Sequence, residues 1–400
     1  MQRSSSRTED MNEDLHQSGA YYGGRIAHVA PLPSPAELST VLPGAAAGDT
    51  VEQARRALGA IVARDDDRLA LVVGPCSIHD VDAALVYAEK IAALRRVYAD
   101  DVEIVMRAYF EKPRTTDGWK GLLNDPLLDG SSDVRLGLRL ARRLLIDINL
   151  LGVPTATEFL EPAATHFLSD LIAWGAIGAR TTESQIHRQI ASGLPCPIGF
   201  KNGTDGNVSI AADALKVASR PHQFLSAAPD GTLATISTTG NAACHLVLRG
   251  GKEPNYDAQS IAQACAALAQ RGLPERVVID ASHGNSRKRH ANQLLVSDYL
   301  ARLVAEGNEA VVGVMIESNL VDGRQDLRAG CELVYGQSIT DACIGWADTE
   351  RVVEQLAVAV RRRRTASQAR RERLGSLGNL DGARLSALSD VSAATTLDAR

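Results

Sequence analysis

The sequence predicts a (β/α)8 barrel, a closed ring of parallel strands surrounded by helices. Eight short aliphatic runs lie along the 400 residues, and helical patterns separate them. Nearly every run ends in a side chain that can take part in chemistry, and this fold places its functional residues at the carboxyl ends of its strands. The runs are LALVVG, VEIVMRA, VPTATE, GAIGAR, CPIGFK, HLVLRG, RVVIDASH and VVGVMIE. The residues at or just past their ends are Cys76, Arg107, Glu158, Arg180, Lys201, Arg249, His283 and Glu317.

Composition excludes several classes of protein. The formal net charge is −5, so nothing indicates wholesale binding to nucleic acid. The longest apolar runs are too short to span a membrane. The first residues are polar and lack the apolar core of a secretory signal, so we expect a cytoplasmic protein. The 6 cysteines form no C-x-x-C pair, which argues against a zinc knuckle or a disulfide framework.

The chain divides into four segments. Residues 1–24 are polar and Ser-rich, and we expect them to be disordered. Residues 25–66 form an amino-terminal arm, with Thr50 as the expected N-cap of a helix through VEQARRALGAIVAR. The catalytic barrel occupies residues 67–364. A basic, flexible tail is predicted at residues 365–400, whose last part is small and polar.

Helical patterns alternate with the strands, as a parallel sheet requires. The predicted helices run from the N-cap Asp80 through Val97, and over 133–151, 162–174, 183–192, 212–218, 258–271, 291–306 and 349–364. Between about 222 and 242, FLSAA and LATIST flank the turn Pro229-Asp230-Gly231, which predicts a β-hairpin inserted after the fifth barrel strand. We interpret the basic run at 361–364 as a solvated helix end, with binding of an anionic partner as the alternative.

Six cations are expected around one pocket, because they follow strand ends or lie in MRAYFEKPRTT after the second strand. A buried cation is costly unless an anion meets it. Phosphates and a carboxylate are natural partners, since both suit the guanidinium fork. The alternative is that each cation pairs with an acidic neighbour. The cations are Arg107, Lys112, Arg114, Arg180, Lys201 and Arg249.

Four side chains form a candidate metal site: Cys76, His283, Glu317 and Asp341. They belong to the first, seventh and eighth strands and to the loop after the eighth, which are neighbours in a closed barrel. A thiolate, an imidazole and two carboxylates suit Mn²⁺, Fe²⁺, Co²⁺ or Zn²⁺. Glu158, after the third strand, is interpreted as orienting a lysine or a water, or as pairing with a neighbouring arginine.

Long strings in the chain resemble type I 3-deoxy-D-arabino-heptulosonate 7-phosphate (DAHP) synthase, the class sensitive to phenylalanine, tyrosine or tryptophan. The similarity runs from about Arg25 to Arg364. It implies condensation of phosphoenolpyruvate with erythrose 4-phosphate and release of phosphate, the entry step of the shikimate pathway. The strings are GPCSIHD, MRAYFEKPRTTDGWKGLLNDP, WGAIGARTTESQIHRQIASGL, GFKNGTDGN, LRGGKEPNYD, SHGNS and GQSITDACIGW.

By this resemblance, the metal ligands are the four residues already grouped. The phosphoenolpyruvate pocket falls on Arg107, Lys112, Arg180, Lys201 and Arg249. The erythrose 4-phosphate segment falls on Pro113, Arg114, Thr115 and Thr116. We predict that Lys112, His283 or Glu158 transfers protons, with Lys112 the first choice. A buried lysine flanked by arginines is expected to have a lowered pKa.

Two other functions remain open at this point. One is a related phosphoenolpyruvate-dependent 3-deoxy-sugar acid synthase, although the K-P-R-T segment favours the four-carbon aldehyde. The other is a catalytically silent regulatory paralogue. The resemblance also implies a homo-oligomer, a dimer or tetramer, and an aromatic amino acid effector. Thr165 and Pro195 depart from the usual Pro and Ser where such effectors bind in the family.

Overall fold

A closed barrel of eight parallel strands forms the body of the protein, as predicted. The computed structural model describes residues 25–369 except 27, 115, 117 and 329. The predictions for residues 1–24 and for most of the tail therefore lie outside the described residues. The strands are β1 (Leu69–Gly74), β2 (Val102–Arg107), β3 (Thr155–Glu158), β4 (Trp174–Ile177), β5 (Ile198–Lys201), β6 (Gln223–Ala227), β7 (Leu233–Ser237), β8 (His245–Leu248), β9 (Val277–Asp280) and β10 (Val311–Glu317).

The order of the strands around the ring is β1-β10-β9-β8-β5-β4-β3-β2. The first strand pairs in parallel with both the second and the last, so the ends of the barrel sequence meet. Every residue of β1, β2 and β10 is buried. Burial on both faces explains why these strands are continuous aliphatic runs rather than alternating ones.

Helices connect the strands and cover the outside of the barrel. They are α1 (Pro35–Val41), α2 (Gly48–Ala63), α3 (Val81–Val97), α4 (Val134–Leu150), α5 (Thr165–Leu168), α6 (Gln185–Ala191), α7 (Val208–Ala218), α8 (Ala258–Ala269), α9 (Asn292–Ala305) and α10 (346–369). The predicted cap of α3 is confirmed, since Asp80 accepts from the backbone N–H of Ala83. None of the helices in the described part of the chain is long and apolar enough to cross a membrane.

Several helix boundaries differ from the prediction: α7 begins at Val208 rather than 212, and α10 spans 346–369 rather than 349–364. Helix α2 begins at Gly48 with Ala47 as its N-cap, so Thr50 lies within the first turn. The predicted helix at 162–174 shrinks to α5 and the 3-10 turn Ser169–Leu171. Trp174 instead begins β4. The residues of β4 pair with β3, and the Trp174 side chain is buried inside the barrel.

Helix α2 closes the amino-terminal end of the barrel. Its residues Ala54, Leu58 and Ile61 share one apolar cluster with the inward-facing Val105 and Val278. The predicted hairpin is also present: β6 and β7 pair antiparallel. Because α2 fills one end of the barrel, the carboxyl ends of the strands form the open end, where chemistry is expected.

The basic run at the end of α10 is a structural contact rather than a free helix end. Arg361 donates to Asp101 at 2.6 Å, and Arg364 pairs with both Asp67 and Asp101, at 2.6 and 2.8 Å. Asp101 lies directly before β2 and its side chain is only 4% exposed. The run is therefore partly solvated, as the 55% exposed side chain of Arg361 shows, but these two arginines also attach the last helix to the amino-terminal end of the barrel.

Replacing Arg364 by alanine is expected to lower the free energy of unfolding by about 1–2 kcal/mol, because a nearly buried carboxylate loses a charged hydrogen-bond donor. Urea unfolding monitored by circular dichroism measures the change. The matched control is Arg362→Ala, since that side chain is exposed on the same helix. Equal losses of stability in the two variants would contradict the assigned role of Arg364.

Candidate active site

Three side chains that could ligate a metal ion lie close together at the open end of the barrel. A ligand atom from each of Cys76, Glu317 and Asp341 lies within 4.8 Å of the others. Cys76 follows β1 and Glu317 ends β10, which are adjacent strands. Asp341 comes from the loop before α10. Ring closure therefore unites residues that are 265 positions apart, and the Cys76 thiol donates to Asp341 Oδ2 at 3.4 Å.

The fourth predicted ligand, His283, borders this group. Its Nε2 lies 3.7 Å from Glu317 Oε1, and its Nδ1 lies 2.9 Å from Asp280 Oδ2. His283 is not part of the set of atoms within 4.8 Å. Its backbone has a φ of 55°, in the left-handed region that non-glycine residues rarely adopt. Such a conformation persists only where its surroundings impose it, and it is common at functional sites.

Sequence reasoning missed Asp280, which organises this side of the site. The carboxylate is fully buried and lies at the end of β9. It accepts from Lys201 Nζ at 2.9 Å as well as facing the His283 ring. Burial alone would raise its pKa, but His283 and Lys201 hold the pKa well below the usual value. A carboxylate that binds Nδ1 leaves Nε2 free to accept or to ligate.

Lys112 lies against the thiol and does not have the predicted lowered pKa. Its Nζ is 3.0 Å from Cys76 Sγ and 3.7 Å from Asp341 Oδ2. Burial lowers the pKa of the ammonium, but Cys76, Glu317 and Asp341 outweigh that effect and raise it above the ordinary value. Burial also raises the pKa of the Cys76 thiol to about 12. The expectation failed because acidic groups, not arginines, are the dominant neighbours of Lys112.

Arg107 is buried beside the candidate metal ligands. Its guanidinium contacts Glu317 Oε1 at 3.3 Å and lies 3.9 Å from the centre of the Tyr109 ring. Together with Lys112 and Lys201, it is one of three predicted cations that pair with an acid. For these three, the alternative of acidic partners is observed.

The other three predicted cations make no ion pair within the described residues. Arg114 and Arg180 are exposed, and Arg249 is half-buried and donates to the carbonyl of Gly250 at 3.4 Å. Arg114 donates to the carbonyl of Trp119 at 2.9 Å. Their charges remain available to an anionic ligand, which is the outcome that the phosphate interpretation requires.

The predicted aldehyde segment is described in part. Pro113 is half-buried, whereas Arg114 and Thr116 are exposed. Thr115 lies outside the described residues. The backbone N–H of Lys112 donates to the carbonyl of Lys120 at 2.9 Å, which closes the loop that carries this segment. The segment therefore begins directly at the cation that contacts Cys76.

Glu158 ends β3 and makes no ion pair in the described part of the chain. Its Oε1 is buried without a hydrogen-bond partner. The carboxylate lies over Gly178, where an added Cβ would collide with Oε1. A side chain at Gly178 would therefore displace the end of the Glu158 side chain. The alternative in which Glu158 pairs with an arginine is not observed among the described residues.

Glu111 is a buried acid with a raised pKa, so we expect the stability of the protein to depend on pH. Burial raises its pKa from 4.5 to about 7. Between these values the folded chain binds more protons than the unfolded chain, so stability falls as pH rises. Replacing Glu111 by glutamine removes this pH-dependent loss of folding stability. We expect the stability advantage of the variant to grow by about 2–3 kcal/mol between pH 5 and pH 8.

Urea unfolding at both pH values tests this prediction for Glu111. The control is Glu89→Gln, the same substitution at an exposed position on α3. A constant difference between Glu111→Gln and the wild type across this pH range would show that the carboxyl does not titrate there.

Comparison with known proteins identifies the family. Residues 48–354 match the model of the DAHP synthetase I family. The Phe-sensitive phospho-2-dehydro-3-deoxyheptonate aldolase of Escherichia coli K12 is 52% identical over 341 residues, which are 85% of this chain and 97% of that protein. The Trp-sensitive enzyme of Enterobacter agglomerans is 54% identical over 340 residues, 85% of this chain and 98% of its own.

A solved structure supports the same assignment. The phospho-2-dehydro-3-deoxyheptonate aldolase of Francisella tularensis SCHU S4 superposes with a TM-score of 0.83 and 45% identity. It covers 85% of this chain and 99% of its own length. The family model and relatives of this identity span most of the barrel and its site. The chain therefore belongs to the DAHP synthetase I family.

Proposed function

We propose that the protein is a DAHP synthase that condenses phosphoenolpyruvate with D-erythrose 4-phosphate and releases inorganic phosphate, the first step of aromatic amino acid biosynthesis. One observation carries this function. A cluster of Cys76, Glu317 and Asp341 lies at the same open end of the barrel as the buried cations Arg107 and Lys201. The family membership of the chain supports the same reaction.

The donor set fits a divalent ion. Three ligand atoms within 4.8 Å of one another suit a shared ion at about 2.0–2.3 Å from each. Cys76, Glu317 and Asp341 would hold it, with His283 completing the set, and the four ligands suit Mn²⁺, Fe²⁺, Co²⁺ or Zn²⁺. When bound, the ion would act as a Lewis acid on the aldehyde oxygen of erythrose 4-phosphate.

The residues of the chain itself bind and orient the substrates. Lys201 and Arg107 present positive charge from strand ends, and Arg180 and Arg249 supply charge that no described acid neutralises. We assign the phosphate and carboxylate of phosphoenolpyruvate to these four, together with Lys112. Pro113, Arg114, Thr115 and Thr116 are assigned to the aldehyde. Holding both substrates reduces the entropic cost of forming the C–C bond.

Proton transfer is assigned to Lys112, which keeps its proton in the free protein. Its Nζ lies 3.0 Å from Cys76 Sγ and 3.7 Å from Asp341 Oδ2, so the ammonium is beside the candidate metal ligands, where we expect it to donate a proton to the aldehyde oxygen. Glu158 is the corresponding acceptor, because its Oε1 is buried without a hydrogen-bond partner among the described residues. His283, held by Asp280 through Nδ1, is assigned to the ligand set rather than to proton transfer.

Regulation and assembly complete the proposal. An aromatic amino acid would bind near Thr165 and Pro195, and the names of the relatives describe Phe- and Trp-sensitive enzymes. We also propose a homo-oligomer, a dimer or tetramer, in which residues 25–66 contact a neighbouring subunit, and a cytoplasmic location. Activity titrated with Phe, Tyr and Trp tests the effector, and sedimentation at micromolar concentration tests the assembly.

A phosphate-release assay tests the activity. The protein is stripped with a chelator, reconstituted with Mn²⁺, and supplied with phosphoenolpyruvate and erythrose 4-phosphate. We expect phosphate and DAHP in equal amounts. Activity with arabinose 5-phosphate alone would favour a different 3-deoxy-sugar acid synthase. A folded protein without activity toward either aldehyde would favour the silent paralogue.

A further inference from the structure

Three asparagines join the loops that follow β5, β8 and β9 at the open end of the barrel. Asn202 directly follows β5, Asn255 lies between β8 and α8, and Asn285 lies in the loop that carries His283. Asn255 Nδ2 donates to Asn202 Oδ1 at 3.2 Å, and the backbone N–H of Asn255 donates to Asn285 Oδ1 at 2.8 Å. These three residues, the asparagine network, connect neighbouring strand ends, since β8 lies between β5 and β9 in the ring.

The asparagine network encloses the backbone of Arg249, which follows β8. The N–H of Arg249 donates to Asn202 Oδ1 at 2.8 Å. Its carbonyl accepts from the backbone N–H groups of Gly284 and Asn285, at 3.0 and 3.3 Å. Both backbone hydrogen-bonding groups of Arg249 are therefore held by neighbouring loops, one on each side.

The glycine-rich loop LRGGKEPNYD packs closely against the loop of Asn285. The N–H of Gly250 donates to Asn255 Oδ1 at 2.7 Å, and its carbonyl accepts from Asn202 Nδ2 at 3.0 Å. Gly250 has a φ of 71°, and a Cβ there would lie 2.6 Å from the backbone nitrogen of Asn285. Glycine at this position allows both the left-handed backbone and the close contact between the two loops.

Asn202 is the most constrained member of the asparagine network. Its side chain is fully buried, and its Oδ1 accepts from both Arg249 and Asn255. Its Nδ2 donates to the carbonyls of Gly203 and Gly250, at 2.8 and 3.0 Å. An amide offers two acceptor and two donor positions, so all four are used. A fully paired buried network of this kind rigidifies the backbone around it.

The Arg249 side chain is much less constrained than its backbone. It is half-buried and makes no ion pair within the described residues. Its guanidinium donates to the carbonyl of Gly250 at 3.4 Å, which is a long hydrogen bond. Such a cation can meet an anionic ligand without first losing an acidic partner. A fixed backbone also reduces the entropic cost of ordering the side chain on that ligand.

We propose that Asn202, Asn255 and Asn285 are positioning residues that hold Arg249 in place for the anionic groups of phosphoenolpyruvate. This inference rests on the proposed function and adds residues that act through one of its substrate-binding cations. Amides are neutral and do not replace the guanidinium, so the network acts on binding only through the position of Arg249. Erythrose 4-phosphate is assigned to a different segment, and its binding should not depend on the network.

Asn255→Ala tests the proposal, because the Asn255 amide joins Asn202 to Gly250 and the side chain is only half-buried. We expect Kd for phosphoenolpyruvate to rise by about 10-fold, measured by calorimetry on the Mn²⁺-reconstituted protein without the aldehyde. In turnover, KM for phosphoenolpyruvate should rise by a similar factor, whereas KM for erythrose 4-phosphate should change by less than about 3-fold. Partial unfolding would lower the active fraction and hence kcat, but it would not raise one KM selectively.

Asn241→Ala is the matched control. Asn241 is also a buried asparagine that joins loops, since its Nδ2 donates to carbonyls at 191, 194 and 196, but it precedes β8 at the closed end of the barrel. We expect each variant to lower Tm by about 1–4 °C. Only Asn255→Ala should raise Kd for phosphoenolpyruvate, and Asn241→Ala should stay within about 2-fold of the wild type. Equal increases in Kd would overturn the positioning role, because general loosening of the fold would then explain both.

The double variant Arg249→Ala/Asn255→Ala tests whether Asn255 acts through Arg249. We expect Arg249→Ala alone to raise Kd for phosphoenolpyruvate by about 10²-fold, because a charged hydrogen-bond donor is lost. The double variant should bind within about 2-fold of Arg249→Ala, since the second change repositions a side chain that is already absent. Multiplicative losses would overturn the proposed dependence on Arg249.

Given a wild-type protein that binds phosphoenolpyruvate, an unchanged Kd in Asn255→Ala would overturn this inference and leave the proposed function standing. If that variant does not fold, Asn255→Ser takes its place with the same expected rise in Kd, because a serine hydroxyl is too short to join Asn202 to Gly250. A wild-type protein that neither binds phosphoenolpyruvate nor releases phosphate would overturn the proposed function and this inference together.

Discussion

Replacing Cys76 by alanine is expected to abolish turnover, with a loss of at least about 10³-fold, because the thiol is the one sulfur ligand in the candidate metal site. Cys76 is fully buried, and its sulfur contacts both Lys112 Nζ and Asp341 Oδ2. Its removal leaves the two carboxylates without the soft donor that favours borderline ions. Phosphate release and bound metal, measured by mass spectrometry after reconstitution with each of the four ions, check the prediction.

Cys196→Ala is the matched control for this experiment. Cys196 is also buried, and burial raises its pKa to about 12 as well, but it precedes β5 at the closed end of the barrel. We expect this variant to keep its metal and its turnover. A Cys76→Ala protein that bound metal and turned over like Cys196→Ala would remove the thiol from the active site.

Replacing Lys201 by methionine is expected to cost both stability and activity. Lys201 and Asp280 are each at most 4% exposed in their side chains and are joined at 2.9 Å. Removing the cation leaves a buried carboxylate without its partner, which costs about 3–5 kcal/mol. Turnover should fall by about 10²–10³-fold, because the charge assigned to phosphoenolpyruvate is lost with it.

The double variant Lys201→Met/Asp280→Asn separates the loss of stability from the loss of turnover. We expect it to regain most of the lost stability, since neither buried charge is left unpaired, but none of the lost turnover. Urea unfolding and phosphate release measure the two quantities. Lys216→Met, on the exposed face of α7, is the control with no expected change in either. A double variant that recovers activity along with stability would assign Lys201 to folding alone.

The barrel could be predicted because most of its strands are buried on both faces and are therefore largely aliphatic. The hairpin could be predicted from its turn residues, since Asp230 bonds to the backbone N–H of Thr232 as a local turn does. The helix and strand boundaries that depend on packing could not be predicted. Trp174 has a pattern compatible with the end of a helix, and only its place inside the ring, where its indole donates to His245, makes it a strand residue.

The candidate site was predictable to the extent that it follows from strand ends. Adjacent strands bring Cys76 and Glu317 together, and this follows from ring closure alone. The orientation of His283 does not, because it depends on a left-handed backbone and on Asp280. The position of Asp280 in RVVIDASH was a usable signal, since a charged residue inside a buried run needs partners. The pKa of Lys112 required the distances to its acidic neighbours.

Ring closure between β1 and β10 has a consequence for biosynthesis of the protein. A nascent chain exposes Cys76 early, whereas Asp341 is translated 265 residues later, after every barrel strand has been made. A ribosome-bound fragment that ends before β10 therefore lacks both carboxylates of the cluster. The whole ligand set could therefore bind an ion only after synthesis has passed the loop that contains Asp341. Prematurely terminated chains would lack the complete site.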